Sequence, residues 1–283
     1  MLPDILLDEI VVRALAEDLA AGDLTTAATV PPQTRAVGRA LARSRLVVCG
    51  TAVFARVFYA VDSGLRVEGR VSDGVVVQPD TLLWLVEGDA KSILKAERTA
   101  LNFIQRMSGV ATLTRSYVSA LPAGSRMRVT DTRKTMPGLR VLDRYAVRVG
   151  GAHNHRDSLG AGLLIKDNHI EAAGGIQPAV ERARQHAPHT VRLEVEVESL
   201  AALDQALAAG ADIVMLDNFA PDQLREAVTR SRGRALVEVS GRISHERLTE
   251  LAELGVDIVS VGALTHSAPA ADIALDIERL GDG

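Results

Sequence analysis

L-E-V-E-V-E, residues 193–198, sorts its side chains into two faces, with Leu193, Val195 and Val197 on one and Glu194, Glu196 and Glu198 on the other. A strand of an open doubly wound sheet is covered by helices on both sides and wants both faces apolar. Here one face meets helices while the other lines a polar interior, which is the pattern of an α/β barrel. The same split recurs downstream, where Glu238 and Ser240 oppose Val237 and Val239, and Ser260 and Gly262 oppose Val259 and Val261.

Around this stretch the order apolar strand, polar tip, loop, helix repeats from Arg126 onward. It predicts strands at 127–132, 163–168, 192–197, 213–217, 236–240 and 258–262. G-A-D-I-V-M-L from Gly210 and G-V-D-I-V-S-V from Gly255 are near copies, each a helix-ending glycine, an aspartate and a strand. Six strands rather than eight predict an incomplete six-stranded α/β barrel, open on one side. The first hundred residues read differently. An amphipathic helix (Ile10, Val11, Ala14, Leu15), the turn G-D-L-T-T at 22–26 and strand-like runs near 39–48 and 82–86 predict a smaller N-terminal α+β sandwich domain. From Lys91 a helix places Leu94, Leu101, Ile104 and Met107 near one face, bridges to the barrel and is expected to break at Gly109. The expected boundaries are 1–108 for the α+β domain, completed by the C-terminal segment 267–283, and 109–266 for the barrel.

At 283 residues and 47% hydrophobic, the chain can bury a core for one large domain or two unequal ones. Its net charge of -4 makes one stretch conspicuous: Arg133, Lys134, His155, Arg156, Lys166 and His169 crowd into D-T-R-K-T, H-N-H-R and I-K-D-N-H. A cationic cluster on an acidic protein is a local anion site, not a nucleic-acid coat, and an aromatic content of 3% argues against a single-strand stacking platform. The single cysteine, Cys49, excludes an intramolecular disulfide and a cysteine metal cluster and fits a reducing compartment. The N-terminal run M-L-P-D-I-L-L-D-E-I is acidic where a signal peptide would be basic, and the most apolar stretch, Leu46 to Ala55, stops at Arg56. No membrane partner and a cytoplasmic location are therefore expected.

Barrel enzymes build their sites at the carboxyl ends of the strands. Those ends here carry Arg133-Lys134, Lys166, Glu196, Asp217-Asn218, Ser240-Gly241 and Gly262. Arg133, Arg156 and Lys166 suit carboxylates or phosphates, because guanidinium grips an oxyanion pair with two parallel bonds and ammonium adds a point charge. Glu196 and Asp217 suit Mg²⁺, held directly or through water, or sugar hydroxyls; an ion pair with Lys166 is the plainer reading and is compatible with either, since an interior carboxylate needs a partner. Glu194 lies deeper and is given a structural role. Ser240-Gly241 and Gly262-Ala263 fall on the last two strands, where barrels commonly bind phosphate through backbone N–H groups. A phosphorylated sugar meeting an acidic ring or chain fits this set.

At these residues the sequence resembles the quinolinate phosphoribosyltransferase family over nearly its whole length. The shared motifs are G-D-L-T-T (22–26), A-E-R-T-A-L-N-F (96–103), D-T-R-K-T-M-P-G-L-R (131–140), N-H-R (154–156), L-I-K-D-N-H-I (164–170), E-V-E-V (194–197), L-D-N-F (216–219) and V-G-A-L-T-H (261–266). The resemblance implies conversion of quinolinate and phosphoribosyl pyrophosphate to nicotinate mononucleotide, pyrophosphate and CO₂, with Mg²⁺, in NAD biosynthesis. It also implies a homodimer with shared active sites. On that resemblance Arg133, His155, Arg156 and Lys166 surround quinolinate, with Arg98 supplied by the partner chain. Lys134 faces phosphoribosyl pyrophosphate, Glu196 and Asp217 hold its ribose and metal, and Ser240, Gly241, Gly262 and His266 hold its 5-phosphate. The sequence departs from the commoner family pattern at Ala152, Asp157-Ser158, Ala161 and Arg242, none of which is a proposed catalytic group. Two rivals stand beside this reading: the related branch associated with molybdate transport, opposed by the intact I-K-D-N-H and N-H-R motifs, and a non-catalytic anion-binding barrel, opposed by Glu196 and Asp217 standing with the full cation set.

Overall fold

The computed structural model describes residues 2–241 and 243–281, so Arg242 lies outside the described residues. In chain order its elements are α1 (Asp4–Leu19), α2 (Leu24–Thr29), β1 (Arg35–Ala42), β2 (Leu46–Val47), α3 (Thr51–Val61), β3 (Arg66–Gly69), β4 (Val76–Val77), β5 (Leu82–Asp89) and α4 (Ala90–Ser119). There follow β6 (Arg128–Thr130), α5 (Arg140–Val149), β7 (Leu163–Ile165), α6 (Asp167–Ala173), α7 (Ile176–His186), β8 (Leu193–Val197), α8 (Leu200–Ala208) and β9 (Ile213–Leu216). The chain ends with α9 (Pro221–Ser231), β10 (Leu236–Val239), α10 (His245–Leu254), β11 (Ile258–Ser260), α11 (Ala263–His266) and β12 (Ile273–Arg279).

Two compact units result. One comprises the segment ending at Arg115, Thr135–Gly151 and the segment from Leu264 onward; the other comprises Ser116–Lys134 and Ala152–Ala263. This division by compactness falls within α4, and it places α5, although that helix follows the first barrel strand, in the first unit. Side chains explain the assignment of α5. Its fully buried Asp143 receives both arms of Arg106 on α4, at 3.0 and 2.9 Å, and the Met136 N–H at 3.1 Å. Tyr145 donates to Asp73 (2.8 Å), which also takes the Gly50 and Thr51 N–H groups at the start of α3.

In the first unit a four-stranded antiparallel sheet has the order β12-β1-β5-β3. Phe54 and Phe58 of α3 are buried against it, with Phe54 stacked on Trp84 of β5 at 4.7 Å between ring centroids. The G-D-L-T-T stretch starts a helix rather than making only a turn, because Asp23 caps α2 by accepting the Thr26 N–H at 2.9 Å. Helix α4 likewise does not break at Gly109. The glycine serves a close approach: a Cβ there would lie 2.0 Å from the Pro269 carbonyl oxygen. The C-terminal segment is fixed at this point, with Ala271 N–H bonded to Gln105 O (2.9 Å) and Gln105 Nε2 donating to Ile273 O (2.7 Å). In an open helix interior, glycine to alanine stabilises by about 1 kcal/mol. Here we expect Gly109→Ala to destabilise by roughly 1 to 3 kcal/mol through overpacking, read by urea unfolding. A stabilised variant would refute the close-approach explanation.

The second unit holds six parallel strands in the order β6-β11-β10-β9-β8-β7. Strands β6 and β7 are its two edges, so the barrel is incomplete, with its opening between them. Leu193, Val195 and Val197 are buried on one face of β8, while Glu194 and Glu196 point the other way with Glu238 of β10. The near-copied glycine-aspartate turns repeat one device. Asp212 Oδ2 accepts the Leu193 N–H (2.7 Å) and Asp257 Oδ2 accepts the Val237 N–H (2.8 Å), each stapling a strand's start to its neighbour. Among the described residues no helix is long and apolar enough to cross a membrane.

Candidate active site

Parallel strands put all their carboxyl ends on one side, and there the second unit collects most of the predicted residues. Lys166 follows β7, and its ammonium pairs with Glu196 Oε2 on β8, so the ion-pair reading of Glu196 is realised. The I-K-D-N-H motif is partly a capping device: His169 Nδ1 accepts the Lys166 N–H at 3.0 Å and holds the start of α6. Asp217 follows β9, and Asn218 supports it. Asn218 adopts a left-handed φ of 57° and donates from Nδ2 to Asp217 Oδ2 at 2.9 Å, leaving Oδ1 toward Gly241. Gly241, at φ +119°, is required by its backbone; a Cβ there would still clear Asp217 Oδ1 by 3.9 Å. The segment beyond it is anchored where Tyr117 donates to Ile243 O at 3.1 Å and packs on the His245 ring. Gly262 lies two residues past β11.

Of the predicted cations, Arg133 and Arg156 stand close enough for their charges to act on each other. Residues 153–156 run beside edge strand β6, where Thr130 and His153 form a parallel bridge. Arg156 Nη1 donates to Gly162 O at 3.0 Å, just before β7, while its Nε–H is buried with no hydrogen-bond partner. Burial and then the neighbouring Arg133 charge both lower the Arg156 pKa. Two guanidinium groups driven together with a donor left over make a site shaped for an anion. Lys134 is exposed, its own N–H turned to Thr132 Oγ1 at 3.1 Å.

The His155 ring is held by carboxylates. Its Nε2 lies 3.3 Å from Glu194 Oε2 and 3.4 Å from Glu238 Oε1, inside the barrel. Burial lowers the ring's pKa, but the two carboxylates outweigh it and push it up to about 10. Burial and the Glu238 charge raise Glu194 to about 7 against the pull of His155. Glu194 thus anchors His155, and Glu238, whose inward direction the β10 alternation already gave, is the partner that sequence reasoning did not assign. The trio has metal-ligand spacing. Against the carboxylates, the Arg156 N–H directed at His155 Nδ1 (2.8 Å) favours the neutral ring; in either charge state the proton on Nε2 stays, and that is the atom a metal would need. We read the trio as a charge cluster, with Glu238 Oε1 near the ring but not hydrogen-bonded to it, on a cavity of about 400 Å³ lined also by Arg128, Thr130 and Arg156.

Arg98 and His266 belong to the first unit. The Arg98 side chain is 61% exposed, with Glu97 at 4.0 Å. His266 closes α11, its Nδ1 2.7 Å from Ser267 Oγ.

An incomplete parallel barrel whose strand ends present paired guanidiniums, a lysine-carboxylate pair and glycine-bearing loops defines an enzyme of the barrel class that works on small, multiply charged anions. Comparison with known proteins narrows the class. The sequence model for the N-terminal domain of quinolinate phosphoribosyl transferase matches residues 23–108, and that for its C-terminal domain matches residues 110–276. The chain belongs to the quinolinate phosphoribosyltransferase family. It is 46% identical over 272 residues to the nicotinate-nucleotide pyrophosphorylase [carboxylating] of Mycobacterium leprae, covering 94% of this chain and 95% of that one. It is 39% identical over 284 residues to a quinolinate phosphoribosyltransferase [decarboxylating] of Nicotiana glauca, covering 94% and 80%. The crystal structure of NadC from Streptococcus pyogenes superposes with a TM-score of 0.94 at 40% identity, covering 99% of both chains.

Proposed function

We propose that this chain joins quinolinate to phosphoribosyl pyrophosphate and releases nicotinate mononucleotide, pyrophosphate and CO₂, a step of NAD biosynthesis. One observation carries the reading at the level of the site: Arg156, beside Arg133, keeps a buried Nε–H without a partner. A ring dicarboxylate supplies the missing acceptor and brings negative charge to the paired guanidiniums. Lys166 is the third cation of this group, and its flexible stem lets it exchange Glu196 for a substrate carboxylate.

Transfer of the ribosyl group breaks its bond to pyrophosphate as the ring nitrogen attacks, and positive charge develops on the sugar. Glu196 and Asp217 stabilise that charge, Lys134 faces the departing pyrophosphate, and the backbone N–H groups around Ser240, Gly241 and Gly262 take the 5-phosphate. Mg²⁺ fits Asp217 Oδ1 as a hard oxygen donor and, when bound, neutralises pyrophosphate charge. The quaternised ring nitrogen then stabilises the electron pair left on carbon as CO₂ departs, and that pair takes a proton from water to form the C–H bond of the product. Mass-spectrometric detection of nicotinate mononucleotide from quinolinate, phosphoribosyl pyrophosphate and Mg²⁺, with nicotinate as control substrate, tests the reading. Product from nicotinate alone would assign a different transferase.

The same proposal includes a cytoplasmic homodimer with shared active sites in which Arg98 is supplied to the site of the second copy; the lone cysteine and the exposed Arg98 support it. Mixing Arg98→Ala with Arg156→Ala subunits should restore about one quarter of wild-type turnover, since half the dimers are mixed and each holds one intact site. No recovery after verified exchange would place Arg98 in its own subunit's site or in none.

A further inference from the structure

Asp131 belongs to the D-T-R-K-T motif, yet neither the cation pattern nor the strand alternation gives it a task. It is fully buried, one residue past β6, and both carboxylate oxygens meet the loop that delivers Arg156. Oδ1 accepts the His155 N–H at 2.7 Å and Oδ2 accepts from Asn154 Nδ2 at 2.6 Å. Desolvating a carboxylate without donors costs several kcal/mol, so a fully buried one holds its donors firmly in place. Here two of those donors come from consecutive residues immediately ahead of Arg156.

The backbone supports the same alignment. His153 N–H bonds to Val129 O at 2.9 Å and Asp131 N–H to His153 O at 3.2 Å, so His153 makes a single parallel bridge to the free edge of β6, with 154 and 155 following directly. One residue on, Arg156 reaches Gly162 at the start of β7, and a Cβ on Gly162 would stand 3.5 Å from Arg156 Cβ. The segment therefore crosses the opening between the two edge strands, and the Asp131 carboxylate ties it to the β6 side. Beyond Arg156 the residues from Asp157 to Ala161 are exposed, so the buried contacts that set the register lie upstream of Arg156.

We propose that Asp131 is a positioning residue for the quinolinate site: it fixes the register of the 153–156 segment on β6 and so sets the placement of Arg156 beside Arg133. The proposal rests on the reading of Arg156 as a quinolinate ligand. What the two bonds demand of position 131 is a pair of oxygens, or an oxygen and a matched donor, held in fixed geometry.

Steady-state kinetics on the full-length protein tests it. Asp131→Ala should raise the quinolinate KM roughly tenfold or more while the phosphoribosyl pyrophosphate KM stays within about twofold. Asn154→Asp, which sets two carboxylates against each other, should show the same selective rise. The double variant Asp131→Asn, Asn154→Asp restores both bonds: the new amide at position 131 accepts the His155 N–H through its oxygen and donates through its nitrogen to the new carboxylate. It should return the quinolinate KM toward wild type. If Asp131→Ala does not fold, the Asn154→Asp single and double variants decide alone. Equal changes in both substrates' KM, or a double variant no better than Asn154→Asp, would overturn the proposal. Wild-type protein that forms no nicotinate mononucleotide would instead overturn the functional reading, so the two failures are distinguishable.

Discussion

Arg156→Ala will weaken quinolinate binding by roughly 2 to 5 kcal/mol and leave the affinity for phosphoribosyl pyrophosphate near its wild-type value. The size follows from what the truncation removes. Arg156 is half-buried beside a second guanidinium, and its Nε–H has no acceptor until an anion enters. Its loss deletes a charge-assisted bond pair and leaves a substrate carboxylate desolvated without compensation. Arg156→Lys should recover only part of the loss, because an ammonium cannot bond Gly162 O and grip a carboxylate with two parallel donors at once. Isothermal titration with quinolinate alone, followed by steady-state KM values for both substrates, measures the effect. An unchanged quinolinate affinity would remove Arg156 from the site.

Asp217→Asn should lower kcat by roughly 10²- to 10³-fold with little change in either KM, the signature of charge that matters when the ribosyl cation develops. The substitution is unusually clean, since an amide oxygen at position 217 still accepts from Asn218 Nδ2 and the left-handed turn can persist. Glu196→Gln is expected to lower kcat as well, but with a second effect. It dissolves the ion pair with Lys166 and frees that ammonium for a substrate carboxylate, so the turnover loss should come with a lower quinolinate KM. Rapid-quench measurement of the first turnover separates the chemical step from product release; unchanged single-turnover rates in Asp217→Asn would exclude its role at the ribose.

The barrel was legible because its signal is periodic and local. The Glu194, Glu196 and Glu238 alternation names an inward face without any knowledge of neighbours, and strand-end placement then nominates Lys166, Asp217, Ser240 and Gly262. What escaped depends on partners far away in sequence. Gly109 reads as a helix breaker in isolation, whereas its small size matters only because Pro269 arrives against it. The same holds for His155, whose carboxylate neighbours Glu194 and Glu238 lie on two strands that follow later. The membership of α5 in the first unit is fixed by Arg106 and Asp73, which no reading of the α5 sequence can supply. Asp131 lay within a quoted motif, and only the donors facing it give it meaning.

The pairing of β12 with β1 has a bearing on how this protein is made. Arg39 and Glu278, 239 positions apart, join across that pair, so the unit that is synthesised first lacks an edge strand until β12 has left the ribosome. The barrel unit, whose strands pair with near neighbours except for β6 with β11, can assemble while the earlier segment is still waiting. During that interval β1 exposes unpaired backbone groups able to capture the same strand of another nascent chain. A chain cut just before Ile273 would keep every barrel strand yet carry that exposed edge permanently, making loss of solubility, rather than loss of the site, its first symptom.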